Sequence, residues 1–133
     1  MKRFFIILSF LLCATTVIAQ NFRQNCVVAH RGAWKNTGHP QNSLASFRAA
    51  AEMGCHGSEC DVHLTVDDSL VVTHDITYNG LEIEHAKYAD LIKKPLKNGE
   101  KLPTLREYIA FVKKQRGTKL IIDVKNIGSD EHA

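Results

Sequence analysis

Residues with chemically useful side chains are concentrated between positions 30 and 75. Two histidines, an arginine and two closely spaced carboxylates lie there, each at or near the end of a predicted strand: His30, Arg31, Glu59, Asp61 and His74. Carboxylates bind divalent cations, a guanidinium pairs with phosphate oxygens, and imidazoles exchange protons near neutral pH. This combination indicates metal-assisted phosphoryl chemistry.

The two carboxylates lie two positions apart in a predicted strand at 58–64, so Glu59 and Asp61 share one face with His63. At a separation of about 4 Å and intermediate dielectric, two such charges repel by about 4 kcal/mol. They therefore need a cation, a basic partner or a proton. Oxygen ligands favour Mg²⁺ or Ca²⁺, and Asp123 could complete the set. The alternative for the pair alone is a solvated strand face.

The histidines and the basic residues have candidate roles around these carboxylates. His30 and His74 suit a general base and a general acid, although a histidine in a strand is often structural. Arg31 suits a phosphate, and its alternative is an exposed loop charge. Lys125 shares a strand face with Asp123, so it could neutralise phosphate or pair with that aspartate.

Four short apolar runs, at 26–30, 58–64, 70–74 and 119–124, predict strands. Helical patterns follow the first and precede the last, which is the order of an α/β protein. In such folds catalytic groups gather at the carboxyl ends of the strands, which meet at one edge. Each of the four predicted strands places a candidate at or near such an end: His30, the Glu59/Asp61 pair, His74 and Asp123. The loop at 65–69 is short for a parallel crossover, so loop length alone predicts a hairpin between the second and third strands.

Two helices carry recognisable end signals. Asn42 or Ser43 can cap a first helix, which Gly54 ends. Thr104 begins a capping box, and Gly117 is placed to end the second helix. The predicted apolar faces are Leu44, Phe47, Ala50 and Ala51 in the first helix, and Leu105, Ile109 and Val112 in the second. A shorter helix is predicted near 85–92, within a segment at 75–103 that is otherwise mostly loop.

The first nineteen residues have the pattern of a secretory signal peptide. Lys2 and Arg3 precede an apolar run at 4–14, and cleavage is expected after Ala19. Leu12 stands where a lipoprotein anchor at Cys13 would need a small residue, so no stable membrane anchor is expected. The protein is predicted to be exported, to the periplasm in a Gram-negative host and otherwise by secretion.

Residues 20–133 are predicted to form one folding unit with a modest core. Removing Lys2 and Arg3 lowers the net charge from +3 to +1, which predicts no nucleic-acid partner. Three cysteines remain, an odd number that does not indicate a disulfide framework. Of these, Cys60 is predicted to be a buried apolar residue.

The motifs together resemble the amino-terminal signature of the glycerophosphodiester phosphodiesterases. The resemblance extends over about 27–125 and is carried by His30-Arg31-Gly32, Pro40-Gln41-Asn42-Ser43, Glu59-x-Asp61-Val62 and Leu70-Val71-Val72-x-His74-Asp75. It implies a TIM barrel that uses a divalent metal to hydrolyse glycerophosphodiesters, small-molecule substrates, to glycerol 3-phosphate and an alcohol. By that similarity His30 and His74 are the acid/base pair, Arg31 binds the phosphate, and Glu59 and Asp61 bind the metal. Asp123 and Lys125 occupy the glutamate and lysine positions of the family's third metal-binding strand.

The chain also departs from the family pattern. Gln41 replaces a glutamate, Asp68 replaces a turn glycine, and Asp123 replaces a longer glutamate. A TIM barrel has about 250 residues and eight strands, so the four predicted strands amount to a truncated first half. The alternatives are a catalytically silent fragment that binds a metal or a partner, and two copies that pair their open strand edges.

Overall fold

The computed structural model describes residues 26–125, so the predicted signal peptide at 1–19 lies outside the described residues. The described part contains six strands, three α-helices and one 3₁₀ turn. In chain order they are β1 (Val28–Ala29), α1 (Leu44–Glu52), β2 (Gly57–Leu64), β3 (Leu70–Val72), β4 (Thr77–Tyr78), β5 (Leu81–Glu82), the 3₁₀ turn (Ile83–His85), α2 (Tyr88–Leu91), α3 (Leu105–Val112) and β6 (Lys119–Val124).

β2 is the central strand of the main sheet. β1 and β6 both pair with it in parallel, and β6 runs in register from Gly57 opposite Lys119 to Val62 opposite Val124. The chain reaches each parallel strand through a helix, α1 before β2 and α3 before β6. The described sheet therefore has three parallel strands, and their carboxyl ends lie at one edge.

The third predicted strand runs in the opposite direction. β3 pairs antiparallel with β2, with Leu70 opposite Leu64 and Val72 opposite Val62. This confirms the hairpin predicted from the short loop. The expectation that the carboxyl ends of all four strands meet at one edge is wrong for β3, because this strand returns beside β2. The backbone N–H of Thr73 donates to the carbonyl of Asp61 at 3.0 Å, which brings the chain back to the middle of β2.

α1 begins and ends as its sequence signals indicate. The Ser43 hydroxyl accepts the backbone N–H of Ser46 at 3.0 Å, and Gly54 follows the helix at a φ of +80°. The buried face of α1 packs against the sheet and α3. This core cluster consists of Phe47, Ala51, Cys60, Val62, Val72 and Tyr108. The burial of Cys60 confirms its prediction as a small apolar residue.

The capping box at the start of α3 is also confirmed. The apolar face predicted for α3 did not include Tyr108, which is fully buried. Ile109, which the prediction did include, lines a surface groove. The Tyr108 ring meets Phe47 edge to face at 5.9 Å, and its hydroxyl donates to the carbonyl of Ser43 at 3.3 Å. α3 ends at Val112, so Gly117 belongs to the following loop and does not stop the helix.

The segment at 75–103 has more structure than its sequence predicts. β4 and β5 form a small antiparallel hairpin, followed by the 3₁₀ turn and by α2, which lies within the predicted short helix. A second core cluster attaches this segment to β3. It consists of Val71, Ile83, Ala86, Leu91 and Leu102. The segment at 75–103 is therefore packed against β3, the strand that His74 follows.

β6 is the least covered strand of the sheet. Ile121, Ile122 and Val124 are 39%, 40% and 56% exposed. Its outer edge has no strand partner among residues 26–125. Within the same residues, no helix combines the length and the apolar character needed to cross a bilayer.

Candidate functional site

Three of the predicted site residues converge on one point of the sheet. Oxygen atoms of Glu59, Asp61 and Asp123 all lie within 4.8 Å of one another. The sheet produces this arrangement directly. Glu59 and Asp61 share a face of β2, and Asp61 is the register partner of Asp123 in the parallel ladder to β6.

Asp61 is the buried member of this group, with a side chain that is 1% exposed. Asn42 Nδ2 donates to its Oδ2 at 2.8 Å, and Asn42 Oδ1 accepts its backbone N–H at 3.2 Å. Burial alone would raise the pKa of the Asp61 carboxyl. The Asn42 amide and the Lys125 ammonium outweigh burial, so the pKa lies below its ordinary value and the group is ionised.

Glu59 is held by the loop that follows β1. The backbone N–H of Arg31 donates to Glu59 Oε2 at 2.9 Å, and His30 Nε2 lies 4.0 Å from the same oxygen. Arg31 adopts a φ of +59°, in the left-handed region. In this conformation the backbone N–H of Arg31 points at Glu59, while its side chain reaches Asp61.

The Arg31 guanidinium lies over the buried end of the carboxylate group. Its Nε is 3.6 Å from Asp61 Oδ2, and its Nη1 donates to Gln41 Oε1 at 3.1 Å. The neutral amide of Gln41 accepts this hydrogen bond without cancelling the charge of Arg31.

Lys125 bridges two of the three carboxylates. Its Nζ lies 2.9 Å from Asp61 Oδ1 and 2.5 Å from Asp123 Oδ2. Hydrogen bonds to Asp123 and Asp61 raise the pKa of Lys125 well above its ordinary value. Of the two roles considered for Lys125, pairing with Asp123 is the one that the structure contains. The ammonium supplies positive charge that the carboxylates need.

The two candidate catalytic histidines line separate cavities. His30 is 66% exposed and lies with Trp34 in a cavity of about 250 Å³. His74 lies with His63 and Lys125 in a cavity of about 590 Å³. The sequence alone left His63 outside the site, yet it lines this cavity.

His74 is held from two directions. Its Nδ1 lies 2.8 Å from Asp75 Oδ1, and its backbone carbonyl lies 3.1 Å from Nε2 of the buried His63. When the Nδ1–H group of the neutral ring donates to Asp75, Nε2 of His74 carries no proton and can accept one. The geometry thus suits proton transfer at Nε2.

The profile of the glycerophosphoryl diester phosphodiesterase family matches residues 30–133. The chain belongs to this family. A glycerophosphodiester phosphodiesterase from Caldanaerobacter subterraneus subsp. tengcongensis is 36% identical over 98 residues, which are 65% of this chain and 40% of that protein. The human glycerophosphodiester phosphodiesterase 1 is 36% identical over 97 residues, 62% of this chain and 29% of that protein.

Solved structures of the family show the same fold. A glycerophosphodiester phosphodiesterase from Parabacteroides distasonis superposes with a TM-score of 0.75 at 44% identity, over 82% of this chain and 46% of that one. An Oleispira antarctica phosphodiesterase, solved with the product sn-glycerol-3-phosphate, gives 0.60 at 28% identity, over 76% and 45%. These neighbours are TIM-barrel proteins, which confirms the predicted fold class. The chain spans less than half the length of each relative it matches here.

The donor set of this family member fits a divalent cation. Three carboxylates from two adjacent strands offer only oxygen ligands, as Mg²⁺ and Ca²⁺ prefer. Asp61 Oδ1 is buried, and its partner among the described residues is the Lys125 ammonium, at 2.9 Å. A buried anionic oxygen in that condition is suited to a cation.

Cys60 takes no part in this donor set. Its side chain packs on the opposite face of β2, in the core cluster with Phe47 and Tyr108. Burial, together with the charges of Glu59 and Asp61, raises the pKa of the Cys60 thiol to about 12. The group is a neutral thiol at physiological pH, so it is neither a thiolate ligand nor a nucleophile.

Asn42 is the site residue that the sequence analysis missed. Apart from its place in the family motif, the only role predicted for it was a cap of α1, but Ser43 makes that cap and Asn42 contacts Asp61 instead. A positive φ at a non-glycine residue, here +59°, would have marked it, but backbone angles are not visible in a sequence.

Proposed function

We propose that the protein hydrolyses glycerophosphodiesters to glycerol 3-phosphate and an alcohol, with a divalent cation as cofactor. The observation that carries this proposal is the convergence of Glu59, Asp61 and Asp123 within 4.8 Å, in a chain of this family. The relative solved with sn-glycerol-3-phosphate supports the choice of product.

The cation is assigned to the three carboxylates and is either Mg²⁺ or Ca²⁺. When bound, it supplies positive charge that stabilises the charge developing on the phosphoryl oxygens. Two hydrogen bonds orient the carboxylates of β2. Asn42 donates to Asp61, and the backbone N–H of Arg31 donates to Glu59. Both carboxylates are therefore oriented by groups outside β2.

Arg31 and Lys125 bind the substrate phosphate in this proposal. The Arg31 Nε and the Lys125 Nζ both lie next to Asp61, at 3.6 and 2.9 Å from its oxygens. Two cationic side chains at one end of a buried carboxylate can neutralise the oxygens of a phosphodiester. Arg31 presents a planar donor fork, and Lys125 presents a compact charge.

The proton transfers are assigned to His30 and His74. His30 lies beside Glu59, and His74 lines a cavity with Lys125, which contacts Asp61 and Asp123. One takes a proton from the attacking hydroxyl or water while the other gives one to the departing alkoxide. In His74 the transfer takes place at Nε2, because Asp75 lies against Nδ1.

The setting of the reaction is part of the proposal. The signal-peptide pattern at 1–19 supports an exported enzyme, periplasmic in a Gram-negative host. There it would meet glycerophosphodiesters released from phospholipids. The exposed apolar residues of β6 support self-association of the 133-residue chain.

The histidine assignment is tested by release of glycerol 3-phosphate from glycerophosphocholine in the presence of Mg²⁺. His30→Ala and His74→Ala are each expected to lower kcat by about 10²- to 10⁴-fold. His85→Ala is the matched control, since His85 is exposed and pairs with Glu82 and Glu84, and it is expected to stay within about twofold of the parent. Unchanged turnover in either active-site variant would remove that histidine from the mechanism.

A further inference from the structure

Both hydrogen bonds recorded for the Asn42 side chain go to Asp61. Its Nδ2 donates to the carboxylate Oδ2 at 2.8 Å, and its Oδ1 accepts the backbone N–H at 3.2 Å. Asn42 is 2% exposed, so water does not replace either bond. One amide thereby fixes the backbone and the carboxylate of Asp61 together, and it leaves Oδ1 as the oxygen turned toward Lys125.

The backbone around Asn42 links the two carboxylates of β2. Asn42 and Arg31 both adopt a φ of +59°, and the Asn42 N–H donates to the Arg31 carbonyl at 2.9 Å. Arg31 in turn donates its own N–H to Glu59 Oε2. This hydrogen bond joins the two ends of the loop at 31–42. Arg31, at one end, holds Glu59, and Asn42, at the other end, holds Asp61.

Helix capping does not account for this arrangement. Ser43 provides the hydroxyl that caps α1, and its contact with Ser46 is independent of the Asn42 amide. Asparagine tolerates the left-handed region better than most residues, which allows it at this turn. The side chain of Asn42 is therefore directed at Asp61 by the loop and not by the helix.

We propose that Asn42 is a positioning residue for the cation site. It holds a carboxylate oxygen of Asp61 within 4.8 Å of oxygens of Glu59 and Asp123 before the cation binds. The inference rests on the proposed function, because it takes Asp61 as a ligand of the cation. Loss of a hydrogen-bonding partner behind a metal ligand typically weakens metal binding by about 10- to 100-fold.

The test is a Mn²⁺ titration of the 133-residue protein, in which the electron paramagnetic resonance signal measures free Mn²⁺. Asn42→Gly removes both hydrogen bonds and permits the positive φ. The dissociation constant for Mn²⁺ is expected to rise by about 10- to 100-fold. Asn79→Gly is the matched control, since Asn79 also has a positive φ, at +55°, but donates to the carbonyls of Leu91 and Lys94. It should leave the constant within about twofold.

Two further variants separate the possible failures. Asp61→Asn is expected to abolish binding; if it does not, the assignment of the cation site is wrong. If Asp61→Asn abolishes binding while Asn42→Gly leaves the dissociation constant unchanged, only the role of Asn42 is refuted. Should Asn42→Gly not fold, Asn42→Ser replaces it, because a serine hydroxyl is too short to reach both Asp61 atoms. Weaker binding then supports the inference, and unchanged binding overturns it.

Discussion

The Lys125 ammonium and the buried Asp61 carboxylate lie 2.9 Å apart, across the parallel ladder between β6 and β2. The same ammonium reaches Asp123 at 2.5 Å. Three carboxylates this close would otherwise repel one another strongly. Lys125 therefore compensates the negative charge of the carboxylates in the folded protein. Its ammonium also lies beside the position proposed for the substrate phosphate.

Replacing Lys125 by methionine tests this electrostatic role. Without the ammonium, Asp61 stays buried with less compensation, so Lys125→Met is expected to lower the free energy of unfolding in chelator by about 2 kcal/mol. Added Mg²⁺ should restore stability by binding the folded state. The measurement is urea unfolding with EDTA and with Mg²⁺. Lys97→Met, at an exposed loop position, should change stability by under about 0.5 kcal/mol.

The pH dependence of stability provides a second test. The pKa of Asp61 in the folded protein lies below its ordinary value of 3.8, so the folded state binds protons less readily than the unfolded chain. Asp61 therefore contributes stability above about pH 4 and loses it as the pH falls through the folded pKa.

Urea unfolding in chelator between pH 5 and 3 measures this contribution. The free energy of unfolding of the parent is expected to fall more steeply over that range than that of Asp61→Asn. Asp67 and Glu107 also have lowered pKa values, but both residues remain in the two proteins, so their effect cancels in the difference. Parallel curves for the two proteins would mean that Asp61 is not stabilised as an ion.

The uncovered face of β6 gives a third prediction. Ile122 and Val124 are exposed on the strand at the open edge of the sheet, so the 133-residue chain is expected to self-associate at micromolar concentrations. Ile122→Lys should shift the sedimentation velocity profile toward monomer. Val66→Lys, at an exposed residue in the loop between β2 and β3, should leave the profile unchanged. A monomeric parent would refute the prediction.

Local sequence patterns predicted the elements that are fixed by short-range physics. Alternation placed Glu59 and Asp61 on one face of β2. N-cap residues located the starts of α1 and α3, and Gly54 located the end of α1, but Gly117 does not end α3. The short loop before β3 predicted a hairpin, because too few residues were present for a crossover. The direction of β3 follows from the length of this loop. The expectation that all four strand ends meet at one edge came from the fold class and not from the residues around β3.

Features that depend on tertiary contacts were not predictable in the same way. Tyr108 is buried because Phe47 and the Ser43 carbonyl meet it from α1, which a helical period in α3 does not show. Asn42 turns toward Asp61 because the loop from Arg31 places it there. The β4–β5 hairpin has strands of two residues each, too short for a periodicity signal.

The most direct test is whether glycerol 3-phosphate release depends on a cation bound at Glu59, Asp61 and Asp123. The purified protein is stripped with EDTA, and turnover of glycerophosphocholine is followed as Mg²⁺ or Ca²⁺ is returned. Turnover is expected to vanish in EDTA and to return with metal in the parent, but not in Asp61→Asn. Turnover that persists in EDTA, or in Asp61→Asn, would contradict the account. No turnover under any condition, from folded protein, would favour a catalytically silent chain.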